Sequence, residues 1–445
     1  MEHRLDKAYP KHQDGRFKNL KNLSSIVLQI LLFVTPWISL RGRQLVLLDL
    51  PGRKLHLFGW TFWPQETLFI FLILLIAGIT LFFVTAVWGR IWCGYACPQT
   101  LLSHSFILVE RLIEGDRHKR IKLERGPWNF EKALKLLAKW SVWFVMSVFL
   151  GLTFAGYYTP IRPLFRDFVS GDAETGTLLF IGFFTAVSLL FFGYLRGRFC
   201  NTMCPYARLQ GAMFDRDTVM VNYDFVRGEP RGKVKDPDAA DCIDCKLCVQ
   251  VCPQNIDIRN GVQFECINCG ACADACDTIM TKVSRPAGLI RYTSEADIEG
   301  DDTRFVRGRP VTYAAILGTL FAVFFVLLVG RNPLELDVVR QDTDGVASQT
   351  ADGRVSNRYK VRLINKDAPD MKVALSLQGF ETAELVVPVN PLALSTGSSE
   401  VVQVFVLVEP DGTPPVKRFS IVATDITNPD VQRRVETTLL RANVR

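Results

Sequence analysis

The chain has 445 residues, enough for two or three domains; 49% are apolar, with 31 Phe and 8 Trp, and its mean hydropathy is positive. That bias excludes an ordinary soluble enzyme and points to helices that take membrane lipid as a partner. The formal charge of +7 is what cytoplasmic Lys and Arg loops produce between membrane spans, so no nucleic-acid partner is expected.

A basic tail over residues 1–22 comes first, with Arg4, Lys7, Lys11, Arg16, Lys18 and Lys21. Its length, and the sequence Ser39-Leu40-Arg41, argue against a cleaved signal peptide. Five apolar stretches follow: Leu23 to Leu40 (which contains Pro36), Thr67 to Trp88, Trp140 to Tyr158, Thr177 to Leu195 and Val311 to Gly330. Each has close to the ~20 residues needed to cross ~30 Å of hydrocarbon. Trp60 and Trp63 precede the second stretch, and Trp88 and Trp92 end it, where indole rings anchor at interfaces.

Lys and Arg set the orientation. Ten of them lie between Arg90 and Lys139, Arg196 and Arg198 follow the fourth span, and Arg304, Arg307 and Arg309 precede the fifth. These belong in the cytoplasm, while Pro160 to Gly176, with two Arg against three acids, fits the outside. The first outer loop, with Arg41, Arg43, Arg53 and Lys54, fits less well. Five spans then place the N-terminus inside and the C-terminal region outside. The expected layout is a membrane domain over 23–210, a cytoplasmic domain over 211–310, a fifth helix over 311–330 and an outer domain over 340–445.

The 12 cysteines all fall in short-spaced groups, unlike a scattered disulfide framework. Two runs, from Cys242 to Cys252 and from Cys266 to Cys276, each read C-x2-C-x2-C-x3-C. This is the spacing of bacterial two-cluster ferredoxins, in which the fourth cysteine ligates the other cluster. One [4Fe–4S] cluster is therefore expected on Cys242, Cys245, Cys248 and Cys276, and a second on Cys266, Cys269, Cys272 and Cys252. Zinc takes only four ligands, so eight cysteines in this doubled pattern argue against it. Asp277 stands where the first run has Pro253, and Gly270 is read as allowing close approach to a sulfide.

A second repeat is C-x3-C-P after Gly-Arg: Cys93 and Cys97 after the second span, Cys200 and Cys204 after the fourth. On a helix, i and i+4 share a face, so each pair offers two thiolates to one centre, and four can meet at one site. Copper(I), zinc and iron–sulfur centres all suit such ligands. His104 is read as a structural histidine, His118 as solvated.

Beyond Gly330 the periodicity turns to two: Tyr359 to Leu363, Met371 to Leu377, Val402 to Val408 and Phe419 to Thr424, with a turn signal at Glu409-Pro-Asp-Gly412. An all-β sandwich of about one hundred residues is expected, serving interaction or spacing. The fold class is thus multi-domain: a five-helix transmembrane part, an inserted two-cluster ferredoxin-like α+β segment and a C-terminal β-sandwich.

Paired C-x3-C-P motifs, the doubled cluster run, a further helix and a β domain, in that order, resemble the CcoG family, also called FixG or RdxA, the cytochrome c oxidase accessory proteins. The resemblance covers essentially the whole chain. It implies a bacterial inner-membrane iron–sulfur protein that aids assembly of cbb3-type cytochrome oxidase, reduces Cu(II) to Cu(I), and carries a periplasmic immunoglobulin-like domain. On that basis a cytoplasmic electron donor feeds the clusters, and copper meets the electrons at Cys93, Cys97, Cys200 and Cys204. The partners would be the oxidase or its copper-delivery factors. Two other functions fit the same layout: a quinol dehydrogenase-type membrane subunit, and a non-enzymatic assembly scaffold.

Overall fold

The computed structural model describes residues 9–40, 42–341, 348–350, 352–366, 368–409 and 416–440. The chain forms two units, Met1–Pro51 with Leu68–Val323, and Gly52–Thr67 with Phe324–Arg445. The cluster segment therefore shares a unit with all or most of each long apolar helix described next.

Among the described residues, five helices are long and apolar enough to cross a membrane: Arg16–Trp37, Pro64–Trp88, Phe130–Ala155, Thr175–Leu195 and Gly308–Val329. Large apolar side chains such as Leu74, Phe144, Phe183 and Phe325 face outward from them, as lipid contact requires. Two helices start earlier than the apolar runs suggest. The first begins at Arg16, seven residues inside the expected tail, because the Asp274 carboxylate accepts the amides of Phe17 (3.1 Å) and Lys18 (2.8 Å). Pro36 lies in a 3₁₀ turn, Thr35–Trp37, that closes it. The third begins at Phe130, where the Asn129 side chain accepts the Lys132 amide at 2.8 Å. Lys132, Lys135 and Lys139 are thus helical, where the charge pattern alone reads as loop. Trp60, Trp88 and Trp92 are exposed, as anchors should be, but Trp63 is buried beneath Lys54 and is not one.

Between the second and third spans, the helix Pro98–Glu114 carries a fully buried carboxylate, Glu110. It holds Arg120 (2.5 Å), Arg196 (2.7 Å) and Lys139 (3.7 Å), and Glu114 holds Lys139 at 2.5 Å. Three separate segments are tied together by these two acids. The fourth span is α-helical over Thr175–Ser188 and widens into a π-helix over Leu189–Leu195.

The cluster segment is bracketed by antiparallel strands Met220–Tyr223 and Ile290–Thr293. Val221, Tyr223, Ile258, Met280, Leu289 and Ile290 form its small core around Cys242 and Cys248. Two hydrogen bonds fix it to the end of the second span: Val219 N–H donates to Val87 O at 3.0 Å, and the Asn268 side chain to Trp88 O at 3.1 Å.

The second unit contains a two-sheet antiparallel sandwich. One sheet runs Ala383–Val386, Ser399–Val408, Val355–Asn365, Leu334–Arg340, and the other Leu392–Leu394, Met371–Gln378, Val416–Asp425, Gln432–Leu440. Tyr359, Val361 and Leu363 are fully buried while Lys360 and Arg362 between them are exposed, so the period-two pattern does fix the face. Residues 410–412 of the expected turn lie outside the described residues.

Candidate functional site

The two cysteine runs fold into duplicate loops. Asp244 and Asn268, one residue before the second cysteine of each run, both have positive φ (51° and 55°), and so do Lys246 and Gly270, one residue after it (56° and 70°). The loop needs left-handed backbone there, and glycine supplies it without strain. Gly270 lines the second void, and it has a further role. A Cβ there would lie 2.7 Å from the Phe17 ring, so the glycine also admits a side chain of the first helix.

The loops and the helix Ala271–Lys282 enclose two voids. Cys242, Cys245, Cys248 and Cys276 line one. Cys252, Cys266, Cys269 and Cys272 line the other, with Cys248 between the two. Among the described residues, no three Cys, His, Asp or Glu side chains close on a single ion, as tetrahedral zinc would require. Two all-sulfur sets around separate voids fit cubane clusters. Burial pushes the Cys248, Cys252 and Cys276 thiols up to about 12, so they become thiolates when a metal core displaces the proton. Cys245 alone of the eight is exposed. Arg259 stands beside the first void, bonded to Asp257 (2.6 Å) and Asp244 (2.5 Å). Asp277, in place of the proline, accepts the Gly288 amide at 2.7 Å.

The C-x3-C-P motifs are not continuous helix, and the shared i, i+4 face does not exist. Cys93 lies in the short helix Ile91–Tyr95, but Cys97 is extended (φ −65°, ψ 125°) and precedes the helix that starts at Pro98. Likewise Cys200 lies in the π-helical turn Phe199–Met203, and Cys204 is extended (φ −72°, ψ 111°) before Pro205. A proline pushes its predecessor out of the helical region, which explains both. Each motif is instead a wide turn closed by the same bond: Cys97 N–H to Trp92 O (2.8 Å), Cys204 N–H to Phe199 O (2.9 Å).

The turns are bound to each other. Gln99, after the first motif, donates to Phe191 O (2.9 Å) and Arg196 O (3.2 Å), ahead of the second. Gln210, after the second motif, accepts from Arg90 Nε (2.7 Å) and from Cys93 Sγ (3.5 Å). Burial raises Cys93 to about 11 and Cys200 to about 12, and the charges of Cys97, Cys93 and Cys204 add to the effect on Cys200. All four thiols thus lie within one another's field. Both turns also rest on the loops of the second void. Gly94 abuts the carbonyls of Ile267 and Asn268, Tyr95 Oη donates to Cys269 O at 3.1 Å, and Gly197 meets the Gln254 side chain. Gln99, Gln210 and Gly94 escaped the sequence reading, since single glutamines and glycines carry no local signal. His104 bonds Asn22 at 3.1 Å and lies 3.4 Å from Lys18 Nζ, a structural role as expected.

Membrane helices, a ferredoxin-like segment with two four-thiol sets and a second thiol group beside it define a membrane-bound iron–sulfur electron-transfer protein. Residues 195–295 match the model of a 4Fe-4S dicluster domain, residues 69–115 a 4Fe-4S binding domain, and residues 324–441 the IG-like fold at the C-terminus of FixG. The chain is 36% identical to nitrogen fixation protein FixG of Rhizobium meliloti, over 93% of this chain and 86% of that one. It is 38% identical to protein RdxB of Cereibacter sphaeroides, over 86% of each. The crystal structure of a FixG-related protein from Vibrio parahaemolyticus aligns with 25% of this chain and 98% of its own, at 18% identity and a TM-score of 0.22. The chain belongs to the FixG/RdxA family.

Proposed function

We propose that this chain sits in a bacterial inner membrane, with its cluster segment cytoplasmic and its immunoglobulin-like domain periplasmic, and reduces Cu(II) to Cu(I) in support of cbb3-type oxidase assembly. One cluster is assigned to Cys242, Cys245, Cys248 and Cys276, the other to Cys252, Cys266, Cys269 and Cys272; when bound, they supply one-electron transfer. The observation that carries this reading is the packing of both C-x3-C-P turns on the loops of the second set. The exposure of Cys245 supports entry of a donor's electrons at the first set. Tyr95 and Gly94 hold the first C-x3-C-P turn against the loop that carries Cys269. Electrons then leave through the thiols at Cys93, Cys97, Cys200 and Cys204, where copper is the substrate. A Cys97→Ser, Cys204→Ser double variant should keep the clusters of the eight-cysteine segment and lose cupric reduction. Reduction at the normal rate would place copper elsewhere.

A quinol-oxidising role draws on one further observation. A cavity of about 850 Å³ is lined by Trp140, Trp143, Cys200 and Cys269, with basic side chains such as Lys18 and Arg196 around it. Its size suits a small redox molecule. Quinol oxidation by reconstituted protein in the absence of copper would favour this role over cupric reduction.

A further inference from the structure

We propose that Cys93, Cys97, Cys200 and Cys204 together hold a third [4Fe–4S] cluster, one thiolate to each iron, seated between the two C-x3-C-P turns. The inference rests on the electron-relay reading above and names what the exit station is.

Stoichiometry is the first argument. The segment 69–115 matches a 4Fe-4S binding domain, yet it contains only Cys93 and Cys97. A cubane needs four protein ligands, so this segment is two short. The missing pair is supplied by the turn that duplicates it. Both turns have the same closing bond, the same extended second cysteine and the same proline-started helix. Their reciprocal glutamine bonds hold them face to face, Gln99 reaching toward the second motif and Gln210 toward the first.

Ligand geometry is the second. The four thiols do not close on one ion, and neither do the eight of the ferredoxin-like segment. A cubane holds its ligand sulfurs further apart than a mononuclear site does, so in neither region does the failure to close on one ion count against a cluster. The donors are sulfur only, so with all four thiolates on iron the Cu(II) substrate takes its electron beside the cluster rather than from a copper site made of these thiols.

Charge is the third. Four thiolates around a [4Fe–4S]²⁺ core carry a net negative charge in a buried place. Arg90 is buried there, bonded to Gln210 beside Cys93 and to the carbonyls of Phe264 and Cys266 on the neighbouring loop. It places a fixed cation between this site and the second thiol set.

The test is a count of iron and acid-labile sulfide on full-length protein purified without oxygen, with EPR of the dithionite-reduced state. About twelve irons per chain are expected, falling to about eight in the variant with all four cysteines changed to serine. The remaining eight-iron signal shows that this variant is folded. About eight irons in the unaltered protein would overturn the inference, as would a quadruple variant that keeps its full iron. If that variant loses four irons but still reduces copper, electrons reach copper by a path other than these four cysteines and the third cluster stands.

Discussion

Gly94 lies against the backbone of the second cysteine loop: a Cβ there would be 2.7 Å from Ile267 O and 3.0 Å from Asn268 O. Those atoms are main chain and cannot swing aside. Gly94→Ala should therefore cost about 1–3 kcal/mol and separate the first C-x3-C-P turn from Cys269. Iron content should persist while electron delivery slows, measured by stopped-flow reoxidation of the reduced protein. An unchanged rate would show that this contact does not set the relay distance.

Arg259 concerns the other thiol set. Its guanidinium is nearly buried beside Cys248 and bonded by Asp257 and Asp244. A fixed positive charge near a cluster favours its reduced, more negative state. Arg259→Gln should lower the potential of the cluster on this set and cost about 2 kcal/mol in lost charged hydrogen bonds. An EPR-monitored redox titration checks the direction, and a rise in potential would contradict it.

Glu110 pairs with Arg120, Arg196 and Lys139 with no exposure of its own. Glu110→Gln leaves three buried cations with Glu114 as their remaining ion-pair partner. Removing one partner of such a set costs about 3–5 kcal/mol. Thermal unfolding in detergent should show a large drop in Tm; a shift of only a degree or two would mean that the cluster of charges adds little.

His104 gives a pH dependence. Burial, then the charges of Lys21, Lys18 and Arg111, hold its imidazole down at about 3 against the usual 6.5. Between those values the unfolded chain binds a proton that the folded chain refuses, so stability present above pH 6.5 is lost as pH falls. Tm should decline from pH 7.5 to 5.5, and His104→Gln should flatten the decline. Equal slopes in both proteins would exonerate this histidine.

Much of this architecture is legible because its signals are local. Hydropathy marks the five spans, and cysteine spacing marks both repeats. The start of the first helix is not local, since its amides are accepted by Asp274, more than 250 positions away in sequence. The i, i+4 reading failed on a known rule: Pro98 and Pro205 force Cys97 and Cys204 out of the helix. The pairing of the two turns was legible only as a repeat, because it depends on Gln99 and Gln210, whose role appears when the fold brings them across.

The Asp274 carboxylate lies on the helix between Cys272 and Cys276, and it takes up the free amides of the first membrane helix. Maturation of the cofactors and completion of the membrane part are therefore linked equilibria. Whatever steadies that cysteine-bearing helix steadies the first span, by the same free energy in either direction.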